Sequence, residues 1–130
     1  MTTDQSAQLA KEQLLGIREM LEEKGYDAIY ANALEFISLS PDDRVFKDVT
    51  VIWDDEYKEI DFRWDTKHLD CRASIGAEGY SWKVWAGDNN HSKDDRCDAI
   101  GIGGNEITPG KDWAFWFYDY MFETITELDL

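Results

Sequence analysis

The sequence predicts an α+β fold: an N-terminal helical hairpin, a four- or five-stranded antiparallel meander sheet, and a C-terminal aromatic helix packed on one sheet face. Three observations carry it. Residues 4–24 and 27–39 repeat apolar side chains at helical spacing. Residues 49–84 alternate apolar and polar side chains in four short runs divided by turn formers. Residues 112–128 return to helical spacing with aromatics on the stripe. The 130 residues are read as one acidic domain spanning 1–130. A chain of this length buries roughly 68–70% of its unfolded surface, enough for a core without covalent staples.

In the first helix Ala7, Ala10, Leu14, Ile17 and Leu21 share a stripe, while Lys11, Glu12, Glu19, Glu22 and Glu23 fall mostly outside it. Gly25 is placed to end that helix in a left-handed conformation. Asp27 is expected to cap a second helix running to Leu39, with Tyr30, Ala33, Leu34 and Ile37 on its inner face. Ser40-Pro41-Asp42-Asp43 breaks the chain. A joint as short as Gly25 folds the two helices back on each other.

The next stretch, VTVIWDDEYKEIDFRW from Val49 to Trp64, reads as a β-hairpin. A turn centred on Asp55-Glu56 pairs Val51 with Ile60 and Val49 with Phe62, which puts both apolar sets on one face. The other face carries Thr50, Ile52, Glu59, Asp61 and Arg63, and the tip is Asp54-Asp55-Glu56. After a turn at Asp65–His68, Leu69, Cys71, Ala73 and Ile75 alternate along a third strand. The Gly76–Gly79 loop leads to a fourth, with Tyr80, Trp82 and Val84 opposite Ile75, Ala73 and Cys71, and Trp85 pointing to the other face. Gly87–Asp95 is polar loop. Arg96–Ile102 is a candidate edge strand weakened by Gly101, Gly103 and Gly104, with loop expected onward to Thr108. Thr108-Pro109 reads as a helix start. In the helix that follows, Asp112–Leu128, the stripe is Trp113, Ala114, Phe117, Tyr120, Met121, Thr124 and Leu128. Phe115 and Phe122 lie on the opposite side.

The net charge of −15 sets the functional argument. Such a field repels nucleic acid and anionic membranes and speeds encounter with basic partners. There is no long single-sign run of the kind that marks a disordered tail, so the charge sits on elements expected to fold. The residues at 112–130 hold five acids and no base. No leader-like apolar region opens the chain, and no run approaches a membrane span. Two cysteines, Cys71 and Cys97, point to a cytoplasmic setting with Cys71 as a small core residue.

Catalytic and metal motifs are weak. Asp88-x-Asn90-x-Ser92-x-Asp94 has the oxygen spacing that opens a calcium loop, but Lys93 and Ala99 stand where glycine and a closing glutamate are needed. His68-x-x-Cys71 with His91 and Cys97 offers zinc ligand types without two tight pairs. Gly101-x-Gly103-Gly104 lacks the lysine and helix of a phosphate loop. Neither histidine sits beside a nucleophile in a recognisable turn. No cofactor, metal or enzymatic reaction is therefore expected.

The more specific signal is surface. Asp54, Asp55, Glu56, Glu59, Asp61 and Asp65 line a ribbon backed by aromatics, a pattern that can stand in for phosphates against arginines and lysines. The plainer alternative is a solvated sheet face whose charges deter strand pairing. On the ribbon reading, reversing Asp54, Asp55 and Glu56 to lysine leaves folding nearly intact. Trp85, Phe115, Trp116 and Phe122 are candidate aromatic anchors, or else core or homodimer contacts. The expectation is a non-enzymatic acidic inhibitor of a basic, nucleic-acid-binding protein such as a nuclease or a CRISPR effector. It would serve as a phage anti-CRISPR or antirestriction protein, or as a toxin immunity protein. It would not bind nucleic acid or membrane directly. The alternatives are a dimeric effector chaperone or adaptor, and a small metal-dependent enzyme.

Overall fold

The structure, a computed structural model, describes residues 3–38, 48–66, 69–86, 99–107 and 113–128. Helices α1 (Thr3–Glu23) and α2 (Asp27–Ser38) precede five strands: β1 (Thr50–Asp54), β2 (Glu59–Asp65), β3 (Leu69–Ile75), β4 (Gly79–Ala86) and β5 (Ala99–Glu106). Helix α3 (Trp113–Leu128) follows. The strands form one antiparallel sheet in the order β1-β2-β3-β4-β5, the expected α+β meander. No described helix is long and apolar enough to cross a membrane.

Helix α1 stops because Gly25, at φ 81°, turns the chain left-handed. The Tyr26 N–H then donates to the Leu21 carbonyl at 2.7 Å and the Gly25 N–H to Glu22 at 3.1 Å, which satisfies carbonyls the helix end leaves open. Helix α2 begins one residue earlier than an Asp27 cap implies. The Tyr26 carbonyl accepts from the Ile29 and Tyr30 N–H groups, so Asp27 sits in the first turn as a favourable anion. The buried stripe of α2 is Ile29, Ala33, Phe36 and Ile37. Tyr30 is half-buried and Leu34 is exposed, so the inner face is rotated from the one expected.

The hairpin register differs from expectation by two residues: Val51 faces Phe62 and Trp53 faces Ile60. Asp54 is the cause. Its Oδ1 accepts the Glu56 and Tyr57 N–H groups at 3.0 and 3.1 Å, which lengthens the loop to Asp55–Lys58. Lys58 closes it at φ 53°. A shift of two preserves the pleat, so the apolar sets still share a face. The β3–β4 register is as expected, with Ile75, Ala73 and Cys71 opposite Tyr80, Trp82 and Val84.

Strand β5 runs to Glu106, through the glycines expected to end it. Gly103 lies opposite Trp82, and a Cβ there would come within 2.6 Å of the indole Cε2. The glycine is the space the indole occupies. A bulge between Val84 and Trp85 shifts the ladder toward Ala99.

The helices cover one face of the sheet. Helix α1 lies on β1, α2 on β2 and β3, and α3 against β5. Phe36 of α2 stacks on Phe117 of α3 at 4.9 Å and meets Phe62 edge-on at 5.5 Å. Tyr80 continues the stack onto Phe117 and Trp113. On α3 the buried set is Trp113, Ala114, Phe117, Met121 and Ile125. Tyr120, expected on this stripe, is exposed, and Ile125 takes its place in the core.

Polar side chains fasten the layers. The Gln13 amide of α1 donates to the Val49 carbonyl and accepts from the Val51 N–H, both at 2.8 Å. It thereby satisfies the open edge of β1 as a neighbouring strand would. Asn32 of α2 donates to the Gly76 and Ala77 carbonyls, and the Trp113 indole N–H of α3 donates to Glu35 of α2 at 3.3 Å.

Candidate functional site

The hairpin does not present its six acids as one exposed row. Asp54 spends Oδ1 on the turn. Asp55 is exposed but already engaged: it accepts from the Trp53 indole at 3.2 Å and from Lys58 Nζ at 3.1 Å, with Lys24 Nζ at 3.8 Å. The Lys58 hydrogen bond, then that from Trp53, holds the Asp55 carboxyl below its ordinary range. Glu56 is exposed at the tip, and Asp65 is exposed at the far end of β2. Tyr57, beside Glu56, is 69% exposed.

Asp61 has to be withdrawn from the proposed contact set. It is 0% exposed. It accepts from Ser74 Oγ at 2.8 Å and from Arg63 Nη2 at 3.2 Å. Glu59 is half-buried two residues away on the same face, opposite Asp54. Burial raises the Glu59 carboxyl above its ordinary value, and the negative charges of Asp61 and Asp54 add to this. Carboxylate oxygens of Asp54, Glu59 and Asp61 lie within 4.8 Å of one another. Three such oxygens fall short of the six to eight that calcium takes, and Asp61 already serves a serine and an arginine.

Charge on this second sheet face is banded. Next to the three acids the register aligns Arg63, Arg72 and Lys83 across β2, β3 and β4. Beyond them stand Asp65 and Asp70. The Arg72 guanidinium lies over the Trp85 ring at 5.4 Å, so half-buried Trp85 belongs to this mixed face. The acidic ribbon expected from alternation is thus a network of opposed charges, partly buried. An open cleft of about 550 Å³ adjoins it, between the hairpin tip, the α1–α2 joint and the β3–β4 turn. Tyr26, Tyr57, Lys58, Glu59 and Tyr80 line it.

Exposed charge lies instead on the helices and turns. Glu19 and Glu23 of α1, Glu56 of the tip, and Glu123 and Glu127 of α3 are exposed and form no ion pair among the described residues. On α3, Trp116 is 64% and Tyr120 60% exposed. Phe122 is half-buried, stacked parallel to Tyr118 at 6.0 Å.

Several expectations fall outside the described residues: the Asp88–Asp98 loop, His68, His91, Cys97, the Thr108-Pro109 helix start, and the side chains of Ala7 and Phe115. Cys71 is buried in the core, opposite Trp64 and Val84. Sequence reasoning missed Tyr57 and Tyr120 as surface aromatics. The signal for Tyr57 was its place in a charged turn; Tyr120 had none, since Ile125 and Tyr120 fit the helical stripe almost equally. No protein family, curated protein or solved structure significantly matches this chain.

Proposed function

We propose that this protein is a non-enzymatic acidic inhibitor that binds the basic surface of a nucleic-acid-handling protein. The observation that carries the reading is a net charge of −15, with 20 of the 28 acids on the described residues and exposed glutamates on α1, α3 and the hairpin tip that form no ion pair among the described residues. A rigid acidic surface needs no folding step on binding, and its field steers a basic partner with on-rates raised roughly 10–1000-fold. Asp55, Glu56 and Asp65 remain its hairpin contacts, and the half-buried Asp54 closes the turn that carries Asp55 and Glu56. The setting is a cytoplasm in which such a target works: a phage-infected cell, with an anti-CRISPR or antirestriction role, or a cell carrying a toxin to be neutralised. The inhibitor binds neither nucleic acid nor membrane itself.

The exposed Trp116 and Tyr120 favour a second reading, a dimeric chaperone or adaptor. The acidic triad favours a third, a metal-dependent enzyme, and a calcium or zinc titration that leaves the melting temperature unchanged removes it. The first reading is tested by capture from bacterial lysate on the tagged protein, with washes at low and high salt. It expects a basic nucleic-acid-handling protein, released as salt rises and inhibited by the pure acidic chain. Salt-resistant capture, or self-association alone, overturns it.

A further inference from the structure

We propose that the outer face of α3, from Trp116 through Tyr120 to Glu123 and Glu127, is the docking surface for an arginine-bearing segment of that basic partner. The proposal rests on the acidic-inhibitor reading and gives it a location and a chemistry. The four residues follow at helical spacing, so two aromatic faces and two carboxylates form one stripe. All four are exposed. Tyr120 is braced from beneath: it leans on the Trp82 ring at 5.9 Å, and Trp82 is held in the sheet above Gly103. Tyr120 is therefore positioned before a partner arrives.

Charge and area identify the occupant. Residues 112–130 hold five acids and no base, and the last turn of α3 has no basic residue to meet the partial negative charge at its C-terminus. A cation is the complementary group. Arginine fits better than lysine, because its planar guanidinium stacks on a ring while its N–H groups pair with carboxylates. A second copy of this chain fits poorly: it would bring another −15 charge onto the same acidic helix. Two part-exposed aromatic side chains also supply only about 300 Å². A stable dimer buries about 800 Å² on each partner.

The test is fluorescence anisotropy with labelled oligo-arginine and oligo-lysine peptides of equal length, at two salt concentrations. The intact protein is expected to bind oligo-arginine about five- to tenfold tighter than oligo-lysine. Trp116→Leu with Tyr120→Leu keeps apolar bulk and removes the π faces, so oligo-arginine should lose more affinity than oligo-lysine and the preference should fall below about twofold. Glu123→Gln with Glu127→Gln should weaken both peptides. Circular dichroism verifies folding, and if the double leucine variant loses helix, Trp116→Leu alone carries the same comparison. A preference that survives the leucine variants overturns the α3 location, while salt-sensitive binding of both peptides leaves the acidic-inhibitor reading standing. Binding no tighter than to a neutral peptide defeats both. A concentration-dependent dimer in sedimentation, lost in the leucine variant, assigns the face to a second copy instead.

Discussion

Asp61→Ala separates a buried charge network from an open acidic ribbon. Asp61 has no solvent exposure and accepts two hydrogen bonds, from buried Ser74 at 2.8 Å and from Arg63 at 3.2 Å. Removing it strands the Ser74 hydroxyl, at about 1–2 kcal/mol. It also removes the carboxylate partner of an arginine whose Nε is already buried with no hydrogen-bond partner. Arg63 is partly exposed, so water recovers much of that loss and about 1 kcal/mol remains. Relief of the repulsion between Asp61 and Glu59 offsets part of the sum. The net expectation is a destabilisation of about 2 kcal/mol, or about 8 °C in melting temperature for a chain of this size. Urea and thermal unfolding monitored by tryptophan fluorescence measure it, with Glu56→Ala as an exposed control expected to stay within about 0.5 kcal/mol. If Asp61→Ala melts with the control, the carboxylate is solvated and the second sheet face is open after all.

Three further outcomes follow from the same geometry. Because the folded state raises the Glu59 carboxyl, its contribution to stability is present at acid pH and lost as pH rises through the raised value. Glu59→Gln should therefore match the intact protein near pH 4 and exceed it by about 0.5–1 kcal/mol at pH 7.5; parallel stability–pH profiles would contradict the cluster. Gly103→Ala places a Cβ 2.6 Å from Trp82 Cε2, so about 1–3 kcal/mol should be lost and the Trp82 environment changed in near-ultraviolet circular dichroism. At the tip, Asp54→Lys should cost about 1 kcal/mol because its Oδ1 closes the turn, whereas Glu56→Lys should leave the unfolding midpoint unchanged within about 0.5 kcal/mol. Simultaneous reversal of Asp54, Asp55 and Glu56 is thus not neutral to folding, contrary to what the sequence implies.

Much of the architecture was legible because alternation and helical spacing are local. Tyr80, Trp82 and Val84 announced both their strand and their register against Ile75, Ala73 and Cys71. The β1–β2 register was not legible in the same way, since it depends on one carboxylate: Asp54 takes two N–H groups and adds two residues to the loop. Period two says which face a residue occupies and not whether that face is covered, which is why Asp61 looked like surface. The glycines of β5 resembled a strand's end because the indole that needs the space at Gly103 lies on another strand. Gln13 reads as a polar helix position, and its role on the β1 edge depends on Val49 and Val51, far along the chain. For the candidate site, composition gave the sign of the surface. The proposed location extends from the hairpin to the helices, because Asp54, Asp55 and Asp61 are engaged by a turn, a lysine, an arginine and a serine.

The most direct test of the central claim is competition on the captured basic protein. The target is bound to a fluorescent nucleic acid, and anisotropy is followed as the acidic chain is added at rising salt. The account predicts full displacement at low salt, with an apparent affinity that falls steeply as salt increases. Anisotropy that stays high, or rises as a ternary complex forms, would contradict it: the acidic surface would then not occupy the nucleic-acid site.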